Sequence, residues 1–376
     1  MSATNFAGLT AEQKTYWMRD LWSYMRSESF IGKLMGKTDN HAIQHITKLT
    51  KTEKGTRAVM QLVAELNGRG VANDNRREGN EEALQNFMLD INMGLISHSV
   101  INKGKLSDQQ SVIDFRTVAR DRLKFWLTDV VDQLAMLTLS GISYDYKLDG
   151  SLFQSSNGDN AFKDLVFADD VSAPSAGRHF YFDGSDLQNG NTASITSACV
   201  PKYGMLVDLK AYAKVSHMRP IKLGGKEYYI YLCDPRTLAM LKTDSDFMSA
   251  MMQSAPRGLD SNPIFTGAMF TVDGIVIMEH DKVYNTTRAT SGSKWGAGGA
   301  VNGTRSLLLG AQALGFVDVG APDWVEKGFD YDSQQGINTD KFLGFRKPKF
   351  DNPYTGNADE DFGVIALDLY IKGAGL

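Results

Sequence analysis

Residues Ser107 to Gly141 read SDQQSVIDFRTVARDRLKFWLTDVVDQLAMLTLSG, and the rest of the chain is organised around this stretch. Phe115, Val118, Ala119, Leu123, Trp126, Leu127, Val130, Leu134 and Leu137 recur at steps of three and four residues. That spacing lays an apolar stripe along one face of an α-helix. Asp114, Arg120, Asp121, Lys124 and Asp132 fall mostly off the stripe. Ser107, with Gln110 three residues on, forms a capping-box pattern at the start, and Gly141 marks the stop. At 1.5 Å per residue such a helix spans roughly 50 Å, whereas globular helices average about three turns. Two readings compete: a long core helix or coiled-coil arm, and a spine that carries strands from distant parts of the chain.

The totals narrow the class. A chain of 376 residues exceeds what one core usually holds, so two or three compact parts are expected. Forty Lys and Arg against 44 Asp and Glu give a formal net charge of −4. No basic excess calls for nucleic acid as a tight, sequence-read ligand, although weak contact with a polyanion stays open. Cys199 and Cys233 are too few for a disulfide scaffold and are not spaced as a zinc site, which fits a reducing cytoplasm. The opening MSATNFAGLT lacks the charged and apolar regions of a signal peptide, so none is expected. No run approaches the roughly 18 apolar residues of a membrane span.

Outward from the spine, residues 1–10 read as a loose arm. Thr10 to Ser29 reads as a helix with Tyr16, Trp17, Leu21, Trp22 and Met25 on one side, which must dock on this chain or a neighbour. Residues 30–55 read as an irregular strap. Alternation predicts strands over Arg57–Leu66 and Leu84–Met93, joined by the polar NGRGVANDNRREGNEEA. An isolated two-stranded hairpin is marginal in water, so a neighbouring subunit is expected to supply the surface it lies on. Beyond the spine, residues 142–198 read as a loop-rich insertion with short strands, and Tyr203–His217 as a helix. Glu227–Cys233 reads as a strand, followed by a helix started by Asp234-Pro235. Phe270–Met278 reads as a hairpin around Asp273-Gly274. Residues 285–303 form a Gly/Ser/Thr-rich loop, Arg305–Val319 is strand or helix, and Phe362–Lys372 is a strand.

Chemical motifs come close and fail. Gly32 to Thr38 approximates a phosphate loop, but the first glycine sits one residue too close and no strand precedes it. Asp361-Phe362-Gly363 lacks the companion loops of a kinase. His41 and His45 have no third ligand nearby. Asp169-Asp170 and Asp359-Glu360-Asp361 read as solvated loop acids. No catalytic residue, metal or cofactor is therefore expected.

Gly70-Val71-Ala72-Asn73-Asp74 and Glu78 to Leu84 resemble the extended-loop signature of the coliphage N-4 type of tailed-phage major capsid proteins. FRTVARDRLKFWLTDVVDQ resembles that family's long helix. Arg219-Pro220-Ile221, Gly225 to Ile230, Asp234-Pro235, Asn262 to Gly267, Arg305 to Ala313 and Asp361 to Ile365 are similar in order and spacing. The likeness covers roughly residues 55–372; residues 142–198, 285–303 and the first 55 depart from it. The resemblance implies an α+β fold of the Hong Kong 97 type. It divides the chain into an N-terminal arm (1–55), an extended loop (56–106), a peripheral domain with the spine and insertion (107–202), an axial domain (203–325) and return strands to the peripheral domain (326–376). It implies hexamers and pentamers of an icosahedral shell around double-stranded DNA, held non-specifically, with no membrane partner. Portal, scaffold and decoration proteins are possible further partners, and the virion, assembled in the bacterial cytoplasm, is the expected location. An encapsulin-like cargo shell and a soluble enzyme with its site near 285–303 are the alternatives. Inter-subunit contacts are expected at the loop tip, from Arg69, Asp74, Arg76, Arg77, Glu78, Glu81 and Glu82. Phe115, Leu123, Trp126, Leu127, Val130 and Leu134 are the expected spine core.

Overall fold

The computed structural model describes residues 16–21, 23, 28–47, 55, 57–63, 70–73, 75–79, 81, 86–105, 115–153, 162–254 and 270–373. The predicted capping box at Ser107 and Gln110 lies outside them, as do Arg69, Asp74 and Glu82 of the predicted tip. In chain order, α1 (Phe30–Leu34), β1 (Met35–Gly36) and β2 (Ile43–Ile46) occupy what reads as an irregular strap. β2 escapes sequence reading because it is four residues long and its partner lies some 270 residues downstream. The hairpin strands β3 (Arg57–Val63) and β4 (Asn86–Asn92) pair antiparallel, Arg57 opposite Asn92 and Val63 opposite Asn86. β5 (Gly94–Ile101) leads toward the spine helix α2 (Phe115–Ser140).

α2 runs for 26 residues and ends where Gly141 predicts. Gly141 has φ +65°, the Ile142 N–H reaches the Leu137 carbonyl at 3.0 Å, and the Gly141 N–H reaches Thr138 at 3.2 Å. This six-to-one plus five-to-two pair is a Schellman stop, which needs a left-handed residue at that point. A Cβ there would also meet the Ser172 carbonyl at 2.5 Å. Leu123, Leu127, Val130 and Leu134 are buried, whereas Phe115 and Trp126 are only half-buried. Val118, expected on the buried stripe, is 39% exposed, and Lys124 and Asp132, expected off it, are buried. The stripe is buried at Ala119, Leu123, Leu127, Val130, Leu134 and Leu137 but not at Val118, and from Val130 to Ser140 it gives way to burial almost all round, which takes Asp132 inside as well.

The remaining elements are β6 (His179–Phe182), β7 (Leu187–Asn189), α3 (Tyr203–Val215), β8 (Ile221–Leu223), β9 (Lys226–Cys233), α4 (Pro235–Leu241), α5 (Ser245–Ser254), β10 (Phe270–Val272), β11 (Ile275–Glu279), β12 (Gly303–Leu309), β13 (Leu314–Asp318), β14 (Asp323–Phe329), β15 (Gln334–Arg346), β16 (Lys349–Phe350), β17 (Glu360–Asp361) and β18 (Val364–Tyr370). Asp234 caps α4 by accepting the Arg236 N–H, with Pro235 in the first turn. Asp273 and Gly274, at φ 47° and 78°, turn β10 into β11.

Two large sheets result. One has six strands in the order β1-β2-β13-β15-β14, with β5 also on β15; the other has eight, in the order β10-β11-β9-β12-β18-β6-β7, with β8 on β9. The principal core joins both to the spine: Leu123, Leu127 and Leu134 share it with Phe316, Leu343 and Phe345 of the six-stranded sheet and with Leu232, Leu307 and Leu309 of the eight-stranded one. Leu308 points the other way, into a second core with Leu209 of α3, Leu238 of α4 and Phe247 of α5. The eight-stranded sheet is thus covered on both faces, which is why β18 reads as a nearly unbroken apolar run and why every residue of β12, polar ones included, is buried.

Candidate assembly surfaces

Asp132 links the arm to the spine. From the middle of α2 its carboxylate accepts the Ser29 hydroxyl at 2.5 Å, the Phe30 N–H at 3.1 Å and the Ile31 N–H at 3.3 Å. Ser29 in turn accepts the Gly32 N–H at 3.2 Å. The first turn of α1 therefore has its orphan donors satisfied by a residue about 100 positions away. Lys282 Nζ sits 3.5 Å from Asp132 and 2.9 Å from Asp129. The signal for this role was legible: a lone acid inside Val130-Val131-Asp132-Gln133-Leu134 is costly to bury without partners. Helical residues 16–21 dock beside it. Trp17 meets Trp324 edge-on at 5.6 Å, the Arg120 guanidinium lies 4.9 Å over the Trp17 ring, and Asp20 pairs with Lys124. Trp17 and Leu21 of the expected aromatic face are thus held within their own chain, Tyr16 is exposed, and Trp22 and Met25 lie outside the described residues.

At the other end of the spine, Arg305 forms two hydrogen bonds with Asp368, Nε to Oδ1 at 2.7 Å and Nη2 to Oδ2 at 3.0 Å. Its remaining Nη1 donates to the Ser140 carbonyl at 3.0 Å, at the negative end of the α2 dipole. His179 completes the cluster at 2.7 Å from Asp368. Burial alone would raise the Asp368 carboxyl, but Arg305 and His179 outweigh it and hold the group below the usual carboxylate range. One clasp thus ties β12, β18, β6 and the spine terminus together.

The hairpin differs from its expectation. Ala58, Met60, Leu62, Leu89 and Ile91 form its inner face and pack on Ile46, Val317, Phe350 and Phe362 of the same chain. The period-two alternation puts Ala58, Met60 and Leu62 of β3 and Phe87, Leu89 and Ile91 of β4 toward that core, and Val59 and Met88 away from it. The base is therefore completed internally, and the neighbour once expected to support it is not needed there. The outer face keeps Val59 and Met88 in solvent, 43% and 69% exposed. At the tip, Arg76 pairs with Glu78 at 2.8 Å and the Gly79 N–H donates to Glu81 at 2.7 Å. Arg77 is exposed beside them. A second unpartnered surface went unread: Leu95 and Phe342 stand directly opposite one another on β5 and β15 and are both exposed, with Val325 and Ile101 on the same face.

The near-motifs take ordinary structural places. His45 hydrogen-bonds Asp318 at 2.7 Å, and Lys341 lies 3.4 Å from the same carboxylate. Asp361 pairs with the buried Lys347 at 3.0 Å. Glu360 pairs with the buried Arg178 at 2.5 Å, so the second acidic cluster is not simply solvated. The 285–303 loop closes on itself through the Trp295–Val301 bridge, with Trp295 packed over Gly303.

A long helix bracing two sheets, with an extended hairpin and an arm strapped to it, is the architecture of a shell subunit of the Hong Kong 97 type. Solved structures of that fold superpose on it: the capsid of Ralstonia phage GP4 at a TM-score of 0.75, with 23% identity over 92% of each chain, and the capsid of cyanophage Pam1 at 0.69, with 18% identity over 99% of this chain and 96% of that one. The chain belongs to the phage capsid protein family, whose model matches residues 5–372. The major capsid protein of Pseudomonas phage KPP25 is 46% identical over 366 residues, 96% of each chain. The family is structural and not enzymatic, which removes the soluble enzyme, and the phage capsid family match with a 46% identical phage major capsid protein removes the cargo shell.

Proposed function

We propose that this chain is the major subunit of an icosahedral phage head and assembles with copies of itself into hexamers and pentamers around double-stranded DNA. Assembly takes place in the host cytoplasm, with portal, scaffold and decoration proteins as further partners. The observation that carries this reading is the hairpin. Its base is fixed to the body by an apolar core, while its charged tip residues Arg76, Arg77, Glu78 and Glu81 are exposed. Sedimentation velocity over a range of concentrations, with scaffold if one is required, should show closed particles; a chain that stays monomeric throughout would sink the reading. The division proposed is arm 1–55, extended loop 56–106, peripheral domain 107–202, axial domain 203–325 and return strands 326–376. The parallel pairing of β18 with β6, which lies within 107–202, supports the return of the last segment to the peripheral domain.

Two expected results follow from charge. The shell confines DNA without gripping it, because the net balance is −4. Filter binding should give weak affinity that falls steeply with salt and ignores sequence; tight binding to one sequence at physiological salt would contradict this. The second concerns the tip, where Arg69, Asp74, Arg76, Arg77, Glu78, Glu81 and Glu82 lock subunits non-covalently. No lysine lies between Lys54 and Lys103, so the hairpin offers no amine nucleophile. Arginine stays protonated, and its planar fork suits carboxylates. Particles boiled in detergent should run as single chains, and a ladder of linked species would refute the lock. Reversing Arg76 and Arg77 to Glu together should lower particle stability. Unaffected shells would leave the tip charges as a solubility device, since exposed pairs are worth under about 1 kcal/mol.

A further inference from the structure

β5 is the one long sheet edge among the described residues that nothing guards. It pairs with β15 on one side, and no described strand lies on the other. Alternate residues of an antiparallel strand turn their N–H and C=O groups away from the partner, so β5 directs half of its backbone groups outward. Proteins usually blunt such an edge with charge, proline or a short strand. Here β14 carries Asp323, Glu326 and Lys327, β4 carries Asp90 and β3 opens on Arg57. The edge strands β1, β7, β8 and β10 are two or three residues long. β5 has eight residues and contains no Asp, Glu, Lys, Arg or Pro.

The sequence of this edge complements itself. Leu95-Ile96-Ser97-His98-Ser99-Val100-Ile101 has the same residue character read in either direction from His98. Two copies laid antiparallel about a two-fold axis at His98 set Leu95 opposite the partner's Ile101, Ile96 opposite the partner's Val100 and Ser97 opposite the partner's Ser99. Leu95 and Ile101 are 48% and 53% exposed, and Phe342, beside Leu95 on β15, is 43% exposed. The pairing extends Phe342 and Leu95 into an apolar row that ends on the partner's Ile101, and the axis repeats that row. His98 points to the opposite face, where it stacks on Trp126 at 4.5 Å. Burial lowers its pKa, so the two imidazoles that meet at the axis are neutral at pH 7.

We propose that β5 pairs edge to edge with β5 of a second copy of this chain, joining two six-stranded sheets across a two-fold axis. The occupant is a second copy because the strand matches itself residue by residue. The inference rests on the assembly reading above and names one contact within it.

Two experiments on particles of the full chain test it. His98→Cys particles, oxidised mildly, should run as linked dimers in detergent without reductant. The axis brings the two positions within the roughly 4.4–6.8 Å Cα separation of a disulfide, and the native Cys199 and Cys233 are buried. Leu95→Cys alone should stay unlinked, because its two copies lie about 20 Å apart along the paired strands. Mixed with Ile101→Cys it should link. Particles that form normally yet give no dimer from His98→Cys, or a dimer from Leu95→Cys alone, would overturn the proposal. The second experiment uses charge. Ser97→Lys with Ser99→Lys sets like charges opposite one another and should lower the yield of closed particles in sedimentation by about tenfold or more. Ser97→Lys with Ser99→Glu sets opposite charges there and should keep the yield. Both positions are exposed, so the melting of the unassembled chain should not separate the two variants. Equal yields would likewise overturn the pairing. A wild-type chain that never forms particles would refute the assembly reading itself, a result distinct from normal shells that give no dimer.

Discussion

Arg305→Met should destabilise the unassembled chain by about 3–5 kcal/mol, the cost of leaving one member of a buried ion pair without its partner. Asp368 is fully buried, and its two oxygens are held by Arg305 and His179. Methionine fills much of the stem volume but returns none of the three guanidinium hydrogen bonds, and the Ser140 carbonyl also loses its donor. Urea unfolding should report the loss. The double variant Arg305→Met with Asp368→Leu should recover most of it, since no charge is then stranded. A single variant as stable as wild type would mean that the clasp contributes little. The same cluster sets an acid limb. The folded Asp368 carboxyl lies below its usual value. Its contribution is therefore fully present above the unfolded value near pH 4 and is lost as pH falls through the lower folded value. The part of the stability that Asp368 supplies should hold from neutrality to about pH 4 and decline below it, and Arg305→Met with Asp368→Leu should flatten that part of the acid limb.

Leu127→Ala should cost about 2–5 kcal/mol through lost burial and the cavity left behind. Leu127 has no exposed surface and sits where the spine meets both sheets. Trp126→Ala, the larger truncation, should cost less, about 1–2 kcal/mol. Trp126 is half-buried and stacks on His98 with ring centroids 4.5 Å apart. Thermal melts of the two variants decide the order. Should Trp126→Ala prove the worse, the spine would be buried on the opposite side.

What could be read in the sequence was local. Gly141, the Asp234-Pro235 cap and the Asp273-Gly274 turn each act through a few neighbouring residues, and each appears where its chemistry demands. The hairpin strands followed from alternation, and the family resemblance supplied the shell. What could not be read was non-local. β2 is a strand only because β13 lies beside it in parallel. Lys124 is inside only because Asp20 reaches it from the arm. The enclosure of the second half of α2 depends on two sheets whose strands come from opposite ends of the chain. Of the assembly surfaces, the tip charges were visible in composition. The exposed Leu95 and Phe342 were not, because alternation shows that a strand has two faces and not whether both are covered.

The order of strands in the eight-stranded sheet has a consequence for synthesis. β18 lies at its middle, antiparallel to β12 and parallel to β6, yet it follows every other strand of that sheet in the sequence. A ribosome therefore delivers both halves of the sheet before the strand that joins them. Until β18 emerges, β12 and β6 each present an open edge, and Arg305 waits for Asp368. Long-range pairing of this kind is slow to form. The continuous sheet and its clasp on the spine therefore form only after residues 364–370 have been made, so the spine is built early and is among the last elements to be braced.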